Sequence, residues 1–87
     1  MEVVFTPGAL ADLEYWRRSG NKAVQAKITS LLASIRETPF AGIGKPEPLK
    51  NELSGKWSRR IDAEHRLVYA VSDKVYVYSL RGHYKKS

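Results

Sequence analysis

The chain has 87 residues, 43% hydrophobic and 28% charged, the balance of one small folded domain (residues 1–87) and not of a disordered chain. It contains no cysteine, which excludes a disulfide framework, a thiolate metal site and a cysteine nucleophile, and fits a reducing cytoplasm. The net charge of +6 is uneven: residues 1–44 carry five basic and four acidic side chains, residues 45–87 ten and five. That asymmetry predicts a polyanionic partner, nucleic acid or an acidic protein, in preference to a neutral metabolite. No signal-peptide pattern opens the chain, no apolar run approaches the length of a membrane span, and no basic amphipathic helix suits a membrane surface.

Val3-Val4-Phe5 is long enough for one strand. Thr6-Pro7 then supplies a hydroxyl N-cap and a proline at the first helical position. Leu10, Leu13 and Trp16 recur at three-residue spacing, so a helix is predicted over about 7–18, ended by Ser19-Gly20. Trp16 reads as core packing before it reads as a ligand-stacking ring. Asn21 can cap a second helix, in which Val24, Ile28, Leu31, Leu32 and Ile35 make one apolar stripe and Pro39 forces an end near Glu37. The two helices should form an antiparallel hairpin packed on a sheet.

Gly42, Gly44, Pro46 and Pro48 follow within seven residues, a loop that cannot be helical. Each proline pushes the residue before it toward extended backbone, so Lys45 and Glu47 are both expected there. Beyond the loop the period switches to two. Strands are predicted over 57–61, 65–72 and 75–81, separated by Asp62-Ala63-Glu64 and Ser72-Asp73-Lys74. The last two are apolar on both faces, as for central strands covered by helices. The order is βααβββ, an α+β fold with the first strand at an edge of a mostly antiparallel sheet and the helical hairpin on one face.

Lys50, Lys56, Arg59, Arg60 and Arg66 fall close together after the loop. Two readings fit this run: a solvated basic face, or a phosphate-binding surface with one acid, Glu47, set inside it. A carboxylate held between two prolines suits a general base, which must stay within hydrogen-bond reach of its proton. Tyr69, Tyr76 and Tyr78 suit strand packing, although aromatic rings among cations also stack bases. His65 reads as a hydrogen-bonded core histidine in mid-sheet. His83, beside Arg81 and Gly82, is an exposed residue near a basic C-terminus on composition alone.

The wording of the whole stretch goes further. Gly44-Lys45-Pro46-Glu47-Pro48-Leu49-Lys50, Leu53-Ser54-Gly55, Trp57-Ser58-Arg59-Arg60-Ile61, Glu64-His65-Arg66-Leu67-Val68-Tyr69 and the final His83-Tyr84, with Tyr15-Trp16 upstream, resemble the YoeB (Txe/YoeB) family of the RelE/ParE toxin superfamily over nearly the entire chain. The resemblance implies a RelE-like, microbial-ribonuclease-like fold and the toxin of a bacterial type II toxin–antitoxin system. Such a toxin cuts messenger RNA in the ribosomal A site and so inhibits translation. Glu47 then corresponds to the general base, Arg66 to the transition-state arginine, His83 to the general acid and Tyr84 to a residue that orients the scissile nucleotide. Lys50 and Arg60 match RNA-contacting positions. The chain departs from the pattern in continuing with Lys85-Lys86-Ser87 past the tyrosine at which related chains typically stop.

Metal-free RNA cleavage needs a base for the 2′-hydroxyl, an acid for the departing 5′-oxygen and cations around the phosphorane. Glu47, His83, and Arg66 with Lys50 and Arg60 supply those types. No carboxylate cluster of the kind magnesium uses is present, and no cofactor is expected. The resemblance further implies a bacterial cytoplasmic location, messenger RNA and the ribosome as partners, and an acidic YefM-type antitoxin. It also suggests a homodimer and a toxin–antitoxin complex that binds operator DNA. Two other readings remain open: a toxin of the same fold aimed at a target other than the ribosome, and a non-enzymatic basic module that binds RNA or DNA.

Overall fold

The computed structural model describes residues 1–82. The elements run β1 (Val3–Phe5), α1 (Pro7–Ser19), α2 (Lys22–Glu37), β2 (Glu47–Pro48), a 3₁₀ turn (Asn51–Leu53), β3 (Trp57–Arg60), β4 (Arg66–Val71) and β5 (Val75–Ser79). They build one five-stranded sheet in the order β1-β5-β4-β3-β2. Only the β1–β5 pair is parallel, which puts the first strand at an edge as expected. Relative to the predicted order, the structure adds β2, a two-residue strand laid along β3 by the proline-braced loop.

Local chemistry explains the helix bounds. The Thr6 hydroxyl accepts from the Ala9 N–H at 3.2 Å, and Asn21 Oδ1 accepts from the Val24 N–H at 3.0 Å, so each helix begins on a side-chain cap. Val24, Ile28, Leu31 and Ile35 of α2 are buried against Leu67, Tyr69, Val75 and Val77 of the sheet. In α1 the expected stripe needs correction: Leu10 is 53% exposed, and the line facing the core is Ala9 and Trp16, buried, with Leu13 partly buried between them. Residues three apart drift 60° around a helix per step, so a strict three-residue spacing cannot stay on one face, whereas steps of four and three can. Trp16 is buried as predicted, and its Nε1–H donates to the Leu80 carbonyl at 2.8 Å.

The helices cover one face of the sheet. The opposite face, expected to be equally covered, carries Tyr78 at 38% exposure. A register shift between Val68 and Tyr69 pairs Val68 with Ser79 and Tyr69 with Val77, so β5 carries one extra residue there. The bulge resets the alternation: Val75 and Val77 face the core, and so does Leu80.

The loop into β2 departs from expectation at Lys45. Its φ is 53°, so the proline that follows excludes the right-handed helical region without making Lys45 extended. Gly44 beside it has φ 82°, and a Cβ there would lie 2.6 Å from Leu31 Cδ2. The Gly44 carbonyl accepts from the Arg60 N–H at 2.7 Å, so the close approach lets the loop carry the chain from the helices to the edge of β3.

Candidate active site

The register gathers Glu47, Arg60 and Arg66 of the predicted site residues on the face away from the helices. Glu47 pairs with Ser58, which pairs with Val68; Arg60, two residues along β3, stands opposite Arg66 at the start of β4. Strand spacings put the Glu47 backbone about 7 Å along and about 10 Å across from that of Arg66, within the combined reach of the two side chains. Glu47 and Arg60 are exposed and Arg66 is half-buried. Lys50 is exposed too, but lies three residues further from the arginine pair, where its carbonyl accepts from the Leu53 N–H in the 3₁₀ turn.

Two polar atoms in this row are buried with no hydrogen-bond partner among the described residues, Ser58 Oγ and Arg66 Nε. An unpaired buried donor costs roughly 1–3 kcal/mol, which a bound phosphate oxygen at the Arg66 fork would recover. Among the described residues no group of three His, Asp or Glu side chains is placed to hold a metal ion.

His83 and Tyr84 lie outside the described residues, but the approach to them is well defined. The Leu80 N–H donates to Asp12 Oδ2 at 2.9 Å, the Arg81 guanidinium lies 3.7 Å over the Tyr15 ring, and the Gly82 N–H donates to His65 Nδ1 at 2.8 Å. The Gly82 carbonyl also accepts from the Arg66 N–H at 3.0 Å. The residue before His83 is therefore hydrogen-bonded to the residue that carries the transition-state guanidinium in the predicted scheme. His65 is not in mid-sheet as expected. It sits at the open end of β4, packed edge-on against Trp16 with ring centroids 4.8 Å apart.

Arg59 also requires correction. Grouped by sequence with the phosphate-binding cations, it is fully buried on the helix side. Its five donors are all used: Nε to the Tyr69 hydroxyl, Nη1 to Ser34 Oγ and the Ile43 carbonyl, and Nη2 to the Thr38 and Ala41 carbonyls. Among the described residues no carboxylate forms an ion pair with it; the Thr38, Ala41 and Ile43 carbonyls and the negative end of the α2 dipole offset its charge. The Tyr69 hydroxyl donates in turn to the Pro39 carbonyl at 2.7 Å. Burial raises the Tyr69 hydroxyl above the ordinary tyrosine range, against the opposing pull of the Arg59 hydrogen bond. Arg59 thus fastens the loop that delivers Glu47. The alternation of Trp57 and Arg59 against Ser58 and Arg60 was the available signal for this. Nothing local in the sequence pointed to the Lys56 ammonium, 4.7 Å over the ring of Tyr78.

Comparison with known proteins shows the family of the chain. Residues 5–84 match the family described as YoeB-like toxin of bacterial type II toxin–antitoxin system. Toxin YoeB of Mycobacterium bovis is 52% identical over 83 residues, 94% of this chain and 96% of that one. Among solved structures, a YoeB/ParE toxin from Agrobacterium tumefaciens superposes with a TM-score of 0.92 at 46% identity, covering 97% of this chain and 100% of that one. Staphylococcus aureus YoeB is similar both as a YoeB–YefM complex (44% identity, TM-score 0.87) and as a dimer (43%, 0.88), each covering 97% of this chain and 98% of its own. The fold is that of a RelE-like toxin. The chain belongs to the YoeB-like toxins of bacterial type II toxin–antitoxin systems.

Proposed function

We propose that the chain is a ribosome-dependent endoribonuclease that cleaves messenger RNA in the ribosomal A site without a metal ion or cofactor. The observation that carries this reading is the single sheet face holding Glu47, Arg60 and Arg66, with Gly82, the last described residue, hydrogen-bonded to Arg66. The Glu47 carboxylate takes the proton of a 2′-hydroxyl, whose oxygen attacks the adjacent phosphorus. The bond to the 5′-oxygen breaks, and that oxygen takes a proton from the His83 imidazolium. The products carry a 2′,3′-cyclic phosphate and a 5′-hydroxyl. Arg66 spans two non-bridging oxygens and neutralises the charge that grows on them, the planar fork being suited to that geometry. Tyr84 orients the scissile nucleotide, and Arg60 and Lys50 hold neighbouring phosphates along the face.

The partner follows from the same charge. An acidic antitoxin segment of the YefM type, as in the Staphylococcus aureus complex, would cover the basic half and fold as it binds. We further assign a homodimer like that of Staphylococcus aureus YoeB, operator DNA as a target of the toxin–antitoxin complex, and a cytoplasmic site of action. No helix of the described residues is long and apolar enough to cross a membrane. Incubation of the purified chain with messenger RNA, in a translating extract and in the same extract stripped of ribosomes, tests the assignment. Cleavage only when ribosomes translate is expected. Cleavage of free RNA at equal rate contradicts ribosome dependence, and no cleavage in either contradicts the nuclease.

A further inference from the structure

A ring nitrogen of His65 holds Gly82, the last described residue before His83. Its Nδ1 accepts from the Gly82 N–H at 2.8 Å, which requires a neutral imidazole with its proton on Nε2. The ring has little freedom to turn away. Trp16 packs edge-on against it, and the Glu64 carboxylate lies 3.9 Å from Nε2. Its own backbone is fixed as well, because the Asp62 carboxylate accepts from the His65 N–H at 2.7 Å and the His65 carbonyl accepts from the Ile61 N–H at 2.9 Å. Gly82, by contrast, has φ 73° and no Cβ, so its backbone is held by hydrogen bonds and not by sterics.

We propose that His65 is a positioning residue for the general acid. Its Nδ1 fixes the Arg81–Gly82 peptide, one residue ahead of His83, a role that rests on the nuclease reading above. Catalysis by a positioned acid is steep in distance, and a misplacement of about 1 Å costs about 10²-fold in rate. The Gly82 carbonyl, which belongs to the following peptide, stays bonded to the Arg66 N–H without His65, so loss of the ring acceptor frees the Arg81–Gly82 peptide to turn about Gly82 and leaves the strand intact.

The side-chain oxygen of asparagine can stand where Nδ1 stands; glutamine places its oxygen one bond further out, and phenylalanine keeps only the ring. His65→Phe and His65→Gln should therefore each cut ribosome-bound messenger RNA about 10²-fold more slowly in single turnover, at unchanged affinity for the ribosome. His65→Asn should stay within a few-fold of wild type. The Gly82 amide, followed by hydrogen exchange in the free protein, should exchange faster in the first two variants and remain protected in the third. A Gly82 amide equally protected in all four proteins overturns the tether whatever their activity. Wild-type rates in both His65→Phe and His65→Gln, beside an active wild type, overturn the positioning role alone. A wild-type chain that cuts nothing overturns the nuclease reading, and this role with it.

Discussion

Arg60 and Arg66 stand directly opposite one another across β3 and β4, two permanent positive charges on one face of the sheet. Like charges so placed destabilise a sheet, by roughly 0.2–1 kcal/mol. Such a pair makes sense where a polyanion is expected to lie across both strands. Arg60→Thr, a residue with good strand propensity, should raise the melting temperature of the free protein at low salt and weaken its binding to messenger-loaded ribosomes. Melting curves at low and high salt, with binding measured alongside, test this: the thermal gain should shrink as salt rises.

Arg66→Lys should be nearly as damaging as Arg66→Ala. Lysine keeps the charge but not the two-pronged geometry, and removal of one oxyanion-stabilising donor costs about 10²–10³-fold. Single-turnover cleavage on programmed ribosomes measures the difference. A lysine variant at the wild-type rate would reduce Arg66 to a counter-charge.

Arg59→Met should be the most destabilising change on β3, although the sequence places it in a basic run. It would take the donor from the Ile43 carbonyl and one of two donors from each of the Thr38 and Ala41 carbonyls, which keep the Ala41 N–H and the Thr38 hydroxyl, at a cost of about 1–3 kcal/mol. Denaturant unfolding gives the magnitude. Limited proteolysis should show new cleavage between residues 38 and 46 while the β4–β5 hairpin stays protected.

The raised Tyr69 hydroxyl gives a pH dependence with a definite sign. Its folded value lies above its unfolded value, so the contribution is fully present below about pH 10, the ordinary tyrosine value, and is lost as pH rises through the folded value. Alkaline unfolding monitored from pH 8 upward should therefore show a loss of stability that is smaller in Tyr69→Phe. That variant should already be weaker at neutral pH by about 1 kcal/mol, having lost the bonds to Arg59 and Pro39.

What could be read from the sequence followed from local chemistry. The Thr6 and Asn21 caps, the α2 stripe and the change of period after the loop need only neighbouring residues to express themselves, and all appear in the fold. Glu47, Arg60 and Arg66 came from motif wording, and the register then put them on one face. The features that escaped depend on long-range partners. Arg59 is buried because Ser34 and the loop after α2 close around it, 16 to 25 residues away in the chain. His65 meets Gly82 only because the bulge in β5 brings Leu80 into the core and turns the chain back past β4. Lys45 takes its left-handed conformation from the crossing of Gly44 over Leu31, which no dipeptide preference encodes.

Attack by a 2′-hydroxyl is the step on which the account depends, and removing that hydroxyl tests it most directly. The substrate is a messenger RNA carrying a single 2′-deoxynucleotide at the scissile position, presented on translating ribosomes beside its all-ribose counterpart. The account predicts a 2′,3′-cyclic phosphate end from the ribose message, no cut at the deoxy position, and a rate roughly 10²–10⁴-fold lower on the ribose message with Glu47→Gln. Cleavage of the deoxy message at the ribose rate, or an undiminished rate in the glutamine variant, would contradict it.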